Sequence, residues 1–249
     1  MQQHLNDLTG FTLSTRDGEI GKLSDCYFDD TSWTIRYLVV DTGGWLNDRK
    51  VLITPTVVEG IDPEQKTIVV NLSRAQVQNS PEIDTARPVS RQKEIELYEH
   101  YGWPFNSRRG LTFYGGIGMT GMTETRMPFE ESIAEQNQET EEDPHLRSVA
   151  DLKGNAIQAL DGEFGNVEDS LIDEDWKIKF IVVDTGKWIS GKKVLMAPRW
   201  IERISWEDSN LQVSIPIESI RNCPEYRDEE EVHEMYQQNL YHYYGKPIE

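Results

Sequence analysis

Apolar positions in this chain come in short runs separated by acidic, glycine-bearing turns, and the same succession of runs occurs twice. In the first copy Asp17-Gly18 sits between short extended stretches, Leu23–Asp29 is a mixed strand ending in acidic residues, and Ile35-Arg36-Tyr37-Leu38-Val39-Val40 is the most apolar segment. Lys50–Ile53, Thr56–Ile61 and Thr67–Leu72 follow. The second copy repeats the order with Asp161-Gly162, Val167–Asp173, Ile178–Val183, Lys193–Met196, Arg199–Ile204 and Leu211–Ile215. Near-continuous β-branched and aromatic residues in the central run predict a strand buried on both faces. Asp-Gly suits a tight turn with positive φ. A glycine inside the next strand, Gly21 or Gly165, marks a bulge or sharp bend. About six short strands with no long helix between them predict a small closed or nearly closed barrel in each copy.

The two copies, Leu8–Pro55 and Leu152–Pro198, are identical at about twenty positions, with one gap near Trp33 and Trp176. A period of about 143 residues is too long for a solenoid and fits two whole domains. The repeat extends beyond the strands: Asn79-Ser80-Pro81-Glu82 matches Asn222-Cys223-Pro224-Glu225, and the Leu97–Pro104 stretch matches Leu240–Pro247. Ser90–Tyr101 and Glu229–Tyr244 read as helices, closed by Gly102 and Gly245 with a proline shortly after. Ile95, Tyr98 and Tyr101, like Val232, Met235 and Tyr236, form apolar faces that need cover. The expected organisation is therefore a barrel over 1–83, a helical tail over 84–104, a segment over 105–145, a second barrel over 146–226 and a second tail over 227–249. The unrepeated segment opens Gly-rich yet aromatic and Met-rich, with Phe113 and Tyr114, and then turns acidic and linker-like.

The formal net charge is −19, and every part of the chain contributes to it. Nucleic acid and anionic lipid are accordingly poor partners, and no Lys/Arg cluster in the sequence suggests a local basic face. No apolar run approaches the roughly 20 residues needed to span a bilayer. The first ten residues lack a basic, then apolar, signal-peptide pattern. Cys26 and Cys223 occupy non-equivalent positions and imply no disulfide framework, so a reduced cytoplasmic chain is expected.

The run Asp17-Gly18-Glu19-Ile20-Gly21-Lys22, then Tyr37–Trp45, then Lys50–Pro55 resembles the PRC-barrel domain family, as do Asp161–Gly165, Phe180–Trp188 and Lys193–Pro198. That family includes the cytoplasmic domain of the photosynthetic reaction centre H subunit and the C-terminal domain of a ribosome-maturation factor. The resemblance implies a mainly β fold of two PRC-type barrels in tandem, each followed by a short helix, a bacterial source and a habit of binding proteins. It brings no catalytic residue set.

Candidate chemistry is sparse. Asp25, Asp29 and Asp41 recur as Asp169, Asp173 and Asp184; they suit either strand-ending turns or a cation site, and the turn reading is favoured. The five histidines lack metal-ligand spacing, Gly115-Gly116-Ile117-Gly118 lacks the Lys-Ser/Thr of a phosphate loop, and the cysteines lack a nucleophile signature. Trp45 and Trp188, each in the loop after the central strand, either cap a barrel end or anchor a partner. Trp45, Trp188, Tyr98, Tyr101, Trp103, Tyr241, Tyr244, Phe113 and Tyr114 are the candidate partner contacts. The expected function is a non-enzymatic protein-interaction scaffold without cofactor or metal, forming a homo-oligomer (dimer or larger) and docking a protein partner. The alternatives are a small-ligand or metal-binding protein with its site between the barrels, and a ribosome-associated assembly factor.

Overall fold

The computed structural model describes residues 2–81, 91–103, 145–186, 191–227, 232 and 234–246. In the first half the strands are β2 (Thr12–Thr15), β3 (Gly18–Asp29), β4 (Thr34–Asp41), β5 (Lys50–Ile53), β6 (Val58–Asp62) and β7 (Thr67–Val70). They lie side by side in the order β5-β4-β3-β2-β7-β6, with β2 and β7 parallel and the other pairs antiparallel. The second half repeats this order with β9 (Ala156–Ala159), β10 (Gly162–Ile172), β11 (Ile178–Asp184), β12 (Lys193–Met196), β13 (Ile201–Ser205) and β14 (Asn210–Val213). The mainly β architecture of two small repeated units is thus as the sequence predicts. Each sheet stays open between its end strands, which the short 3-10 turns Pro55–Val57 and Pro198–Trp200 connect.

The apolar central run is inside, as its composition requires. Tyr37, Leu38 and Val40 on β4 are fully buried, and so are Phe180, Ile181 and Val183 on β11. Burying one such side chain contributes about 1.5–3 kcal/mol, so these strands organise each core. Gly21 and Gly165 each sit at a register shift in the hairpin ladder. A Cβ at Gly21 would lie 2.2 Å from the Asp41 carbonyl oxygen, and one at Gly165 would lie 2.4 Å from that of Asp184. The glycine is there because the next strand's backbone occupies the space a side chain would need.

The halves are not separate cylinders, and this corrects the expectation from sequence. A two-residue strand β1 (Gln3–His4) leaves its own half and pairs antiparallel with β10 at Leu171 and Ile172. Reciprocally β8 (Leu146–Ser148), which opens the second copy, pairs with β3 at Tyr27, Phe28 and Asp29. The single-turn helices α1 (Leu5–Leu8) and α4 (Val149–Leu152) then lead each chain segment back to its own barrel. The reason is the length of β3. β2 covers it only from Gly18 to Lys22, so the far end of that edge would leave backbone groups without partners; the exchanged strand supplies them.

Beside this exchange β4 and β11 meet end on through an isolated bridge between Thr34 and Lys177. The Ile35 N–H donates to the Trp176 carbonyl at 2.8 Å, and the Ile178 N–H donates to the Trp33 carbonyl at 2.7 Å. Equivalent residues therefore bond to each other, which defines a pseudo-two-fold axis between the halves. Trp33 and Trp176 flank it with left-handed backbones, φ 58° and 59°.

Among the described residues there are four further helices: α2 (Arg74–Gln78), α3 (Arg91–Tyr101), α5 (Ile217–Asn222) and α6 (Glu234–Tyr243). The tails α3 and α6 fold back on their own barrels. The predicted starts of both helices, Ser90 and Glu229, lie outside the described residues. Val232 and Tyr236 pack against the core as the apolar face of α6 requires, whereas Met235 is left 72% exposed.

Candidate functional site

The repeated aspartates serve the backbone. Asp25 accepts the Ser148 hydroxyl at 2.5 Å and the Ala150 N–H at 3.2 Å, which anchors the incoming second-copy segment. In mirror fashion Asp169 accepts the Asn6 N–H at 3.1 Å and lies 2.6 Å from His4 Nδ1, while His4 Nε2 lies 2.7 Å from the Tyr226 hydroxyl. Burial pushes the Asp25 carboxyl above its ordinary range, against the hydrogen bonds that favour its charged form. Asp29 holds the Thr31 and Ser32 N–H groups, and Asp173 those of Asp175 and Lys177. Asp41 and Asp184 accept from Gly43 and Gly186. These carboxylates do not converge on one cleft, and among the described residues no three His, Cys, Asp or Glu side chains form a metal-sized group. Both cysteines are buried and free, and burial raises both thiols, that of Cys26 well above its ordinary value, away from the reactive thiolate.

The tail aromatics are committed within the chain. Tyr101 and Trp103 are buried and stack with ring centroids 4.2 Å apart, with half-buried Tyr98 edge-on to Trp103 at 5.8 Å. Tyr241 is buried against Trp200 at 5.4 Å, and half-buried Tyr244 approaches the same indole at 4.8 Å. All five therefore glue tails to barrels. Trp45 caps its own barrel end: its Nε1 donates to the Ile20 carbonyl at 2.9 Å and the Arg74 guanidinium lies 4.5 Å over its ring. The hollow beside it encloses about 790 Å³ between β2, β3 and the loop after β4. Trp188, Phe113 and Tyr114 lie outside the described residues.

The first tail is also held by a polar lock. Glu94 on α3 is 1% exposed, receives the Arg36 guanidinium at 2.6 Å and accepts the buried Tyr37 hydroxyl at 2.9 Å; Asp29 stands 3.8 Å from the same guanidinium. Burial, then the Glu94 charge, pushes the Tyr37 phenol far above its ordinary value. The equivalent residues of the second copy are Lys179, Phe180 and Gln237, so there the hydroxyl and the carboxylate are both missing.

A cleft of about 660 Å³ opens where the halves meet, and cations crowd it. Arg147 comes from β8, Lys177 from the residue before β11, Lys179 from the start of β11, Arg199 from the turn before β13, and Arg203 from β13 itself. Two carboxylates, Asp30 and Glu202, share the lining. Asp30 sits 2.9 Å from His145 Nδ1, 3.4 Å from Arg147 Nε and 3.0 Å from the Trp206 indole N–H that donates to it. The Arg147 guanidinium lies 5.1 Å over the Trp206 ring, and that of Arg199 lies 4.5 Å over Tyr241. The sequence showed no such face, because these cations are scattered along the chain and only the fold collects them.

Residues 2–77 match the family model of the PRC-barrel domain. No curated protein matches the chain. The match covers every strand of the first sheet except the exchanged β8, and the second half repeats that strand order. Residues 2–77 are thus assigned to the PRC-barrel domain family, and the second half is similar to them through its repeated strand order.

Proposed function

We propose that the protein is a non-enzymatic scaffold that self-associates and docks protein partners. PRC-barrel domains are in general protein-interaction modules. The observation that carries the reading is the reciprocal exchange of β1 and β8, which joins two such units into one pseudo-symmetric body. Two copies of a docking surface are then displayed in fixed relation, and paired engagement raises avidity without new contacts. The repeated polar residues are occupied by that joining, which suits a structural role better than turnover. The outer edges of β6 and β13 supply the docking surface: among the described residues neither pairs with a further strand, and Glu59, Gly60, Glu202 and Arg203 stand exposed on them. An extended partner segment can add to such an edge.

Of the second reading, a small-ligand or metal-binding protein with its site between the barrels, the metal branch loses its support, because among the described residues the repeated aspartates bond to separate backbone donors. Two measurements test the proposal. Light scattering on the eluting protein is expected to give a mass of twice the chain or more, and a strict monomer at micromolar concentration removes the self-association. A photo-crosslinking residue at Glu59 or Glu202 is expected to capture protein in cells, while one at Leu160, exposed on the β9–β10 turn, is not; equal capture at all three positions overturns the edge assignment.

A further inference from the structure

We propose that the cleft between the halves binds a small soluble ligand bearing two or more phosphate groups. The case rests on four features. The cleft, at about 660 Å³, has the size of a small-molecule site. Its lining is net positive in a chain of formal charge −19, so these cations are concentrated against the trend of the whole molecule. Two guanidiniums are held in place before any ligand arrives, Arg147 against Trp206 and Asp30 and Arg199 against Tyr241. A fixed guanidinium fork matches phosphate oxygens in two places at once and loses little entropy on binding.

The fourth feature comes from the internal duplication, which separates what the fold requires from what it does not. At the positions of Arg147, Lys177, Arg199 and Arg203 the first copy has Gln3, Thr34, Thr56 and Gly60, and its barrel forms the same sheet. The cations are therefore not demanded by folding. Lys179 shows the same divergence more sharply. Its counterpart Arg36 has its charge met by Glu94 at 2.6 Å and Asp29 at 3.8 Å, whereas Lys179 faces a tail in which that glutamate has become Gln237. Among the described residues no carboxylate comes within salt-bridge reach of Lys177, Lys179 or Arg203. The second copy has thus lost the internal acid and gained cations around one opening, which is the pattern an external polyanion would complete. This site has the opposite charge preference to a cation site built from the repeated aspartates; it lies apart from the β6 edge and shares Glu202 and Arg203 with the β13 edge.

The test uses the full chain and inorganic tripolyphosphate as probe. Calorimetry at low salt is expected to show one site per chain with Kd on the order of 10 µM, weakening as salt rises. The variant Lys177→Thr/Arg199→Thr introduces residues the first copy already carries; it is expected to keep its melting temperature and to weaken binding about a hundredfold, at about tenfold for each lost charge-assisted contact. Arg221→Ala, which removes a cation elsewhere on the surface, is expected to leave Kd unchanged. No binding at about 1 mM probe overturns the proposal, as does equal weakening by Arg221→Ala, which would mean unspecific charge attraction. A poly-glutamate peptide that binds the cleft more tightly than the probe would assign it to an acidic protein partner instead. Co-flotation with phosphatidic-acid vesicles would assign it to a lipid headgroup, and either result overturns the soluble-ligand reading.

Discussion

Glu94 offers the sharpest test of how the first tail is held. Replacing it with alanine removes the acceptor of the buried Tyr37 hydroxyl and one of two carboxylates near an Arg36 side chain that is only 20% exposed. Breaking a buried ion pair from one side costs about 3–5 kcal/mol, and an orphaned hydroxyl about 1–3 kcal/mol. Arg36 retains Asp29 at 3.8 Å and some water, so the expected loss for Glu94→Ala is about 3 kcal/mol. At about 2–4 °C per kcal/mol for a chain of this size, the melting temperature should fall by roughly 6–12 °C, and α3 should become the first site of proteolytic cleavage. Glu94→Gln keeps an acceptor without the charge and should cost about 1 kcal/mol. The triple variant Arg36→Lys, Tyr37→Phe, Glu94→Gln installs the set found in the second copy and should return to within about 1 kcal/mol of the wild type, because the stranded hydroxyl is gone and the more flexible lysine cation can reach Asp29 or water. Scanning calorimetry and urea unfolding of the three proteins decide the matter. A Glu94→Ala protein that melts with the wild type, or a triple variant less stable than Glu94→Ala, would refute the lock.

Three further outcomes are expected. Gly21→Ala and Gly165→Ala each push a Cβ into a neighbouring carbonyl at 2.2 and 2.4 Å, so each should cost more than about 2 kcal/mol in urea unfolding, whereas Gly44→Ala, with open space around it, should cost well under half of that. Deleting residues 1–8 strips β1 from β10 together with the His4 and Asn6 bonds to Asp169; hydrogen exchange should then speed up at Leu171 and Ile172 in the other half of the chain, and an unchanged rate there would contradict the exchange. Burial pushes the Tyr101 phenol from 10.0 up to about 12, so the folded state favours its neutral form. Its contribution is whole below pH 10 and lost as pH climbs toward 12; Tyr101→Phe should abolish that part of an alkaline unfolding curve, followed by circular dichroism.

What the sequence determined by itself is local. The spacing of apolar runs placed the central strands, because a segment such as Ile35–Val40 can be satisfied only by burial on both faces. Gly21 and Gly165 announced a close backbone approach, and the acidic strand ends announced turns, because both features act within a few residues. The duplication was legible as repetition, and it carried the fold of both halves. The expectation of separate barrels failed where the deciding contact is distant. Gln3–His4 has too few residues to show any period, and its place on β10 follows from β9 being too short to cover β10, a comparison of lengths across the sheet. The tail aromatics read equally well as partner contacts or as barrel cover, since an amphipathic face does not say what it faces; packing against Trp200 and the first core settled Tyr101, Trp103 and Tyr241. The basic cleft was hidden for the same reason. Its charges come from β8, β11 and β13 and the turn between, so they are neighbours only after the two halves have turned about their shared axis. Electrostatic character at a site is set by distance in space, and distance along the chain carries almost none of it.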